Sequence, residues 1–544
     1  MKWETGLLVL GLAAALACGP AGQPGGGPSE ATGQPRYGGT LNVHGVADPF
    51  NWDPVEQKGT PHDELMALYH DSLLGFKKGP EYDYMQWELT PELADRWDVA
   101  SDSKTFTFHL RQGAKFQNLP PVNGREVTSA DVKFSVDYRL RDGEFKEKKL
   151  PVAQISYIFE GLERVETPDR YTVVFHFKDP YIPFLNYAAS DWNPILPREI
   201  YDQDGHFRDK AVGAGPFLLD LVASQKGTRW IFKKNPDYWD AGRPYVEGIR
   251  WLVLPEESTL YSAFQTKQVD LLADGRDFND AQELMKANPQ AVHSKQYQPN
   301  SSDVLLSQLP ARNSPVRDIR IRRALSLTID RDEMNRVQFG GEGEWGVPVA
   351  LMGLFTPVEL RQMIRFDLEE ARRLVREAGY PEGIALDLPV SNDMERSSLA
   401  TVELLQAMWK KAGLNAAIKA YDRVESQQKL RQGDWDVNPR LGQGAALHDD
   451  PDSLAFGRFH SKSPNNYGRV NDPEVDRLLE AQRREAAPEK RREILRSVSR
   501  RLVDQMWAIQ LLHRPKYSFW HPYVKNYRPN FGSKADYTMA WLEK

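Results

Sequence analysis

The chain has 544 residues, of which 40% are hydrophobic and 27% are charged, and it is too long for a single hydrophobic core. Lysine and arginine number 70 against 76 aspartate and glutamate, a formal net charge of −6 that argues against a nucleic-acid-binding protein. Cys18 is the only cysteine, so an internal disulfide and a multi-thiolate metal site are excluded.

The first 17 residues have the pattern of an export signal. Lys2 precedes an apolar run from Gly6 to Ala17, shorter than the roughly 20 residues that a membrane-spanning helix needs. Residues Ala15 to Cys18 resemble a bacterial lipobox, in which cleavage before the cysteine is followed by acylation of its thiol. An ordinary secretory signal with an incidental thiol is the alternative. We therefore predict a signal peptide over 1–17 and a lipidation site at Cys18.

Residues 18–36 are predicted to form a flexible tether. The segment after Cys18 is rich in Gly and Pro and contains no Leu, Ile, Val or aromatic residue, so it cannot bury enough apolar surface to fold. With Cys18 acylated, the tether would hold the globular part clear of the lipid head groups. The expected location is exported, lipid-anchored on the outer face of the cytoplasmic membrane or in the periplasm.

Alternating strands dominate the chain from Tyr37 to about residue 191. GGTLNVHG begins as a strand, and TFTFHLRQG and YTVVFHFKDP alternate apolar and polar residues, as half-buried strands do. Between the last two, TSADVKFSVDYRL predicts one helix, with Thr128 as its N-cap and Asp131 three residues later. The stretch 79–191 is predicted to be a small α+β unit.

Three more predicted strands follow between residues 213 and 254. They are GAGPFLLDLV, TRWIFKKN and VEGIRWLVL, and the helix STLYSAFQTKQ comes after them. These strands are expected to complete a sheet with the first strand of the chain.

Beyond about residue 300 strands and helices alternate. A helix over LEEARRLVREA is marked by Asp367 as N-cap and by Gly379 and Pro381 after its end. The strands IALDLPV, NAAIKAY and DWDVNPR are separated by helices, and this β-α-β-α-β order predicts a largely parallel sheet.

The segment after the last of these strands, residues 442–453, is the first candidate for a binding loop. Ligands bind such sheets beyond the carboxyl ends of the strands, and this segment holds His448, Asp449 and Asp450. Carboxylates there would bind an ammonium group, a metal or sugar hydroxyls. The same residues also suit an ordinary turn and helix cap, and both interpretations stay open.

No enzyme motif has its required context. GGEGEWG has the G-x-G-x-x-G spacing but lacks a strand before it and a helix after it, and SDSK, which fits S-x-x-K, lies at a predicted hairpin turn. The chain contains no H-E-x-x-H, P-loop or G-x-S-x-G, and its eleven histidines are dispersed. We predict that the protein is not an enzyme and needs no cofactor and no metal.

Several segments, in this order along the chain, resemble the bacterial extracellular solute-binding proteins of family 5, which include the oligopeptide- and dipeptide-binding components of ABC importers. The segments are YGGTLNVHG, LADRWDVASDSKTFTFHLRQGAKF, SADVKFSVDY, YTVVFHF, GAGPFLL with KKNPDYWDAGRPYVEGI, VRDIRIRRALSLTIDRDEM and EARRLVREAGYPEG.

The resemblance implies an α/β fold of the two-lobed periplasmic-binding-protein type II, or Venus flytrap, with an additional inserted α+β domain. By analogy, the first lobe combines residues 37–78, 192–298 and 515–544, the inserted domain is 79–191, and the second lobe is 299–514. The hinge is expected at the two crossings between the lobes, near residues 298–300 and 513–515.

The implied function is that of the substrate-binding component of an ABC importer. A peptide or similar polar solute would be captured by hinge closure and delivered to a membrane permease, and the protein is expected to be a monomer. An oligosaccharide or a metal chelate is an alternative cargo. A secreted hydrolase or a lipoprotein chaperone is the alternative of another class.

The expected ligand-binding residues come from both lobes. In the peptide binders of the family, an aspartate four residues before the proline of the binding loop pairs with the ligand's α-amino group. Counting back from Pro451, that position is Leu447, so either Asp449 takes the role or the anchor is absent. Arg440, at a strand end, is expected to bind a carboxylate bidentately. The full set is His44, Trp52, Trp192, Trp345, Arg440, His448, Asp449 and Asp450.

Overall fold

The structure is a computed structural model that describes residues 34–544 with internal gaps. The gaps are 57–61, 78, 80, 83–87, 149, 151–155, 298–301, 347–353, 395, 442–449 and 530–533. The predicted signal peptide, Cys18, most of the tether, His448 and Asp449 therefore lie outside the described residues. Within the described part, none of the helices is both long enough and apolar enough to cross a membrane.

The chain up to residue 297 is mainly β-structure. Its strands are β1 (Thr40–Gly45), β2 (Leu74–Phe76), β3 (Leu89–Pro91), β4 (Ala94–Val99), β5 (Thr105–Leu110), β6 (Leu162–Asp169), β7 (Thr172–Phe177), β8 (Phe217–Leu219), β9 (Arg229–Lys234), β10 (Gly248–Val253), β11 (Leu271–Arg276) and β12 (Val292–Tyr297). Its helices are α1 (His62–Tyr69), α2 (Ser129–Leu140), α3 (Phe184–Ala188), α4 (Arg198–Asp204), α5 (Glu257–Gln265) and α6 (Phe278–Ala287).

From residue 302 helices dominate. The strands are β13 (Ser302–Leu306), β14 (Glu344–Trp345), β15 (Ile384–Ser391), β16 (Leu414–Tyr421), β17 (Val437–Leu441), β18 (Ala508–Gln510), β19 (Leu512–His513), β20 (Pro515–Trp520), β21 (Val524–Lys525) and β22 (Trp541–Leu542). The helices are α7 (Ile319–Leu327), α8 (Arg331–Phe339), α9 (Pro357–Met363), α10 (Leu368–Glu377), α11 (Arg396–Lys410), α12 (Arg423–Gln432), α13 (Asp452–Phe459), α14 (Pro473–Arg484), α15 (Pro488–Gln505) and α16 (Lys534–Met539).

The first lobe is built on two sheets. One has the order β1-β10-β9-β8, with β1 parallel to β10 and β10 antiparallel to β9, which confirms the predicted sheet that includes the first strand. The other has the order β11-β20-β12, so its middle strand comes from the C-terminal part of the chain. Leu41, Val43 and Trp251 belong to the buried core of this lobe.

An antiparallel unit with the strand order β4-β5-β7-β6 stands beside the first lobe. Its apolar strand faces meet at Phe184, with the rings of Phe106 and Phe175 at 5.2 and 4.8 Å from it. Helix α2 of the same unit begins after Thr128, whose backbone N–H donates to Asp131 Oδ2 at 2.8 Å. The predicted strands, helix and cap are confirmed.

The second lobe combines the sheets β17-β13-β18 and β15-β16. The prediction of a parallel sheet is right for β15 and β16 but wrong for β17, which pairs antiparallel with β13. Its contact with β15 is a hydrogen bond from Asp387 N to Asp436 Oδ2, at 2.7 Å, and one from Asp436 N to Asp387 O. The difference arises because β13 enters from the first lobe and occupies the edge of β17, a non-local pairing.

The two lobes of mixed helices and sheets form one α/β molecule. The chain passes between them twice: from β12 to β13 through residues 298–301, and from β19 to β20 at Arg514. The predicted helix after Asp367 is present as α10, with Asp367 Oδ1 accepting from Glu370 N at 2.9 Å and Gly379 at φ +95°.

Two glycines lie where Gln117 of the antiparallel unit meets the first lobe. Gln117 N donates to Gly213 O at 2.8 Å, and Gly215 N donates to Tyr69 O at 2.9 Å. A Cβ added at Gly215 would lie 2.5 Å from backbone atoms of both Tyr69 and His70. Because backbone atoms on the neighbouring segment cannot rotate away, this contact between two segments of the first lobe requires glycine. The antiparallel unit reaches the same place through Gln117, whose Nε2 donates to Gly215 O at 3.3 Å.

We expect Gly215→Ala to lower the free energy of unfolding by about 1 to 3 kcal/mol, since the added methyl must push two backbone segments apart. Gly457→Ala is the matched control. Gly457 lies within α13, where a Cβ meets nothing within 4 Å, so it should gain up to about 1 kcal/mol of helix propensity. Urea unfolding of the two variants measures the difference. Equal stabilities would contradict the backbone contact.

Candidate functional site

The candidate site lies at the end of β17 in the second lobe. Strand β17 ends at Leu441, and the predicted binding loop follows it. Residues 442–449 are outside the described part of the chain, so Leu447, His448 and Asp449 stay sequence predictions. The structure describes strand β17, which precedes this loop, and helix α13, which follows it.

A row of three buried polar side chains crosses the sheet at this edge. Asp303 on β13 is opposite Arg440 on β17 and opposite Gln510 on β18. Residues paired across neighbouring strands project from the same face, so the three side chains form one row. They are 0%, 7% and 1% exposed, and polar groups buried this deeply require partners.

Arg458 of α13 provides the partner of Asp303. Its Nη2 donates to Asp303 Oδ1 at 3.0 Å and lies 2.9 Å from Oδ2. Burial, followed by the charge of Arg458, lowers the pKa of Arg440 to about 10, so the group remains protonated at neutral pH. The row thus brings two arginines, Arg440 and Arg458, next to Asp303.

The two guanidinium groups indicate what this edge can bind. Within the described part, Arg458 Nη1 and the side-chain amide of Gln510 have no hydrogen-bond partner. Guanidinium groups bind carboxylates in strong, charge-assisted hydrogen bonds. A carboxylate of a bound solute would fit these groups, which is the role that the sequence predicts for Arg440.

Asp450 has partners other than a solute. Its side chain is fully buried, Arg491 Nη1 donates to Oδ2 at 2.8 Å, and Asn186 Nδ2 donates to the same oxygen at 3.0 Å. The other oxygen accepts from Asp452 N at 2.8 Å. The predicted role of Asp450 in ligand binding stays a prediction, and it would require this carboxylate to leave Arg491.

Trp52 and Trp345 pack within the cores of their lobes. The ring of Trp52 lies edge-on to Tyr69 and Trp230 at 5.9 and 5.1 Å, and its side chain is buried. Trp345 on β14 has the guanidinium of Arg361 at 4.6 Å from its ring centroid. Both rings are therefore engaged in packing and cation–π contacts.

His44 and Trp192 lie in the first lobe and beside it. His44 is buried near the carboxyl end of β1, opposite Leu252 of β10. Trp192 is half-buried against the core of the antiparallel unit, and its backbone N–H donates to Ser190 Oγ at 3.2 Å. Their predicted roles remain open.

The sequence predictions missed Asp303, Arg458 and Gln510. Two of them left a signal: Asp303 is a charge next to the apolar run VLL, and Arg458 stands between Phe456 and Phe459 in a helix. A charge inside an apolar pattern indicates a buried, paired group. In the described part of the chain, no group of three or more His, Asp or Glu side chains could hold a metal ion.

The second crossing between the lobes is closely packed. His513 is 1% exposed, and its ring fills the space above Gly346, where a Cβ would lie 2.5 Å from Nε2. Neither ring nitrogen has a hydrogen-bond partner in the described part. The next residue, Arg514, donates to Ser398 Oγ and Thr401 Oγ1, both at 3.2 Å.

Comparisons with known proteins identify similar chains. The sequence model named bacterial extracellular solute-binding proteins, family 5 Middle, matches residues 88–465. A dipeptide-binding protein of Escherichia coli strain K12 is 26% identical over 521 residues, covering 90% of this chain and 92% of its own.

Two solved structures have similar folds. The periplasmic binding protein DppA from Helicobacter pylori, in complex with the peptide STSA, superposes with a TM-score of 0.76 at 23% identity, covering 94% of this chain and 99% of its own. The protein AgaA from A. tumefaciens R10, in complex with agropinic acid, gives 0.74 at 23% identity, covering 93% and 99%.

The burial of His513 predicts a pH-dependent stability. Burial lowers its pKa from 6.5 to about 4, so between those values the unfolded chain takes up a proton that the folded chain refuses, and stability falls as the pH falls. At pH 5 the loss from this residue is about 2 kcal/mol relative to pH 7.5.

Urea unfolding at the two pH values, for the wild type and His513→Asn, measures this loss. The variant should still show the loss of stability at pH 5 that comes from His62, because burial also lowers the pKa of His62 to about 4. A pH dependence in the variant as steep as in the wild type would show that His513 does not contribute.

Proposed function

The chain belongs to the bacterial extracellular solute-binding proteins of family 5, and on that premise we propose that it is the substrate-binding component of an ABC importer. It captures a peptide or similar polar solute between its lobes and delivers it to a membrane permease. The observation that carries this proposal is the buried row of Asp303, Arg440 and Gln510, which lies at the end of β17 before the predicted binding loop and, with Arg458, presents two guanidinium groups.

We propose the domain organisation that the resemblance implies. The first lobe comprises residues 37–78, 192–298 and 515–544, with 79–191 as the inserted domain and 299–514 as the second lobe. The sheet composition supports this division, since β20, at residues 515–520, lies between β11 and β12 of the first lobe.

Capture follows from a difference in affinity between two conformations. A solute that touches both lobes binds the closed form more tightly than the open form, so it shifts the equilibrium toward closure by that difference. The two crossings, at residues 298–301 and at Arg514, are the proposed hinge. The solute leaves unchanged, since the protein acts as a carrier and not as an enzyme.

Two charges would orient a peptide in the cleft. Arg440, with Arg458 beside it, binds the carboxylate end of the solute. Asp449, two residues before Pro451, takes the amine end, although Leu447 occupies the position of the aspartate that the resemblance implies. A solute with a carboxylate but no amine fits the first charge without requiring the second.

The protein is exported and, in this proposal, acylated at Cys18. The sequence after that residue is rich in Gly and Pro and would act as a tether. Holding the lobes near the membrane raises their effective concentration at the permease.

Native mass spectrometry of the purified protein, combined with small-angle scattering, tests the proposed function. We expect a co-purified peptide or other carboxylate-bearing solute of unaltered mass, and a smaller radius of gyration with solute than without it. Detection of a bound sugar oligomer or metal chelate would show that the cargo is not a peptide. A solute that is cleaved during incubation would instead support a hydrolase.

The role of Arg440 predicts a selective loss of affinity. Arg440→Gln should weaken binding of a carboxylate-bearing peptide by about tenfold to a hundredfold, the value of a hydrogen bond to a charged group. The variant should keep a melting temperature close to that of the wild type, because the repulsion from Arg458 and the attraction to Asp303 are lost together. Titration calorimetry with the peptide and with its C-terminal amide measures the effect.

Arg431→Gln is the matched control, an exposed arginine at the end of α12. It should bind both peptides as the wild type does. If Arg440→Gln and Asp449→Asn both bind as tightly as the control, neither residue belongs to the site.

A further inference from the structure

The inserted domain touches the second lobe at a polar contact away from the buried row. Glu160, just before β6, places Oε2 2.8 Å from Arg483 Nη1 of α14. Ile182 N donates to the backbone oxygen of the same arginine at 2.9 Å. Asn186 of α3 donates to Asp450 Oδ2 at 3.0 Å. We call these three contacts the polar latch.

The second lobe holds its half of the latch in a fixed geometry. Arg483 Nη2 lies 2.7 Å from Asp452 Oδ2, and Arg491 Nη1 donates to Asp450 Oδ2 at 2.8 Å. Both carboxylates are almost fully buried, and both guanidinium groups are 13% exposed. Buried charges that are paired in this way cannot reorient without a large cost, so Glu160 and Asn186 meet preorganised partners.

An aromatic sandwich adds to the contact. The guanidinium carbon of Arg483 lies 3.2 Å from the ring centroid of Phe456 in α13 and 5.2 Å from that of Tyr181 in the inserted domain. A cation placed between two ring faces is attracted to both. The inserted domain therefore supplies one wall of the site that holds Arg483.

The latch and the buried row act on the same helix. Asp450 directly precedes α13 and joins the latch, whereas Arg458 near the other end of α13 pairs with Asp303 in the row. The predicted binding loop lies between β17 and α13. A movement of the inserted domain would therefore be transmitted through Asp450 to the end of this loop.

We propose that the inserted domain takes part in the closure of the two lobes. It binds the second lobe through the polar latch when the lobes close. Closure is then stabilised by contacts that need no solute, and the solute-free protein spends part of its time closed. This goes beyond the proposed function, because the latch would act in the same way whatever the cargo.

Salt should weaken the latch. Glu160 is 52% exposed, so its pair with Arg483 is screened by dissolved ions. The hydrogen bond from Asn186 to a charged carboxylate contributes more. Losing both should lower the ratio of closed to open molecules by roughly tenfold.

The test uses two substitutions that leave the buried pairs of the second lobe intact. Glu160→Lys places a positive charge against Arg483, and Asn186→Ala removes the donor to Asp450. The double variant is compared with Glu163→Lys, which makes the same charge change at an exposed position of β6 in the same domain. Circular dichroism establishes that all three proteins are folded.

Small-angle scattering of the solute-free proteins at low salt and at high salt gives the result. We expect the wild type and Glu163→Lys to be compact at low salt and to expand at high salt, and the double variant to be expanded in both. A double variant with the wild-type radius of gyration, or a wild type that salt does not expand, would overturn the latch. Because no solute is present, the result is independent of whether a peptide is the cargo.

Discussion

The buried ion pair between Asp303 and Arg458 is the interaction on which the arrangement of the second lobe depends. Two charges removed from water are tolerated only when they meet in good geometry, so the pair fixes the position of α13 above the sheet. The predicted binding loop leads into this helix, and Asp450 stands at its start. The position of the acidic start of α13 relative to the buried row thus follows from one salt bridge.

The inserted domain contacts its two neighbours with different chemistry. Toward the first lobe it uses Gln117, which hydrogen-bonds to the backbone of Gly213 and Gly215, where no side chain fits, and such a close contact does not slide. Toward the second lobe it uses Glu160, Asn186 and one backbone N–H. Polar contacts of this kind can be made and broken in water at small net cost. The domain is therefore expected to move with the first lobe and to close on the second.

The proposed hinge crossing at Arg514 is densely packed. Arg514 and His513 are buried where the chain passes from the second lobe to the first, and their neighbours are side chains of the second lobe. This packing holds β19 in the second lobe, whereas β20 belongs to a sheet of the first lobe. Rotation would then be confined to the short backbone between them, as hinge motions generally are.

The sequence by itself determined the local structure of this protein. The N-caps at Thr128 and Asp367 and the alternating strands around Phe106 and Phe175 follow from interactions among residues close in sequence. The parallel pair β15 and β16 could be predicted from the order of strand, helix and strand. The order of segments also determined the family. The position of Arg440 at a strand end could be predicted for the same reason.

Only the tertiary structure decided which charges and rings meet. Asp450 is a predicted ligand group, and the structure shows that Arg491, 41 residues later, and Asn186, 264 residues earlier, donate to one of its oxygens. The antiparallel partner of β17 and the pairing of Asp303 with Arg458 are likewise set by segments distant in sequence. Composition and spacing carry no information on such contacts, because the free energy of burying a charge depends on the one neighbour that the fold places beside it.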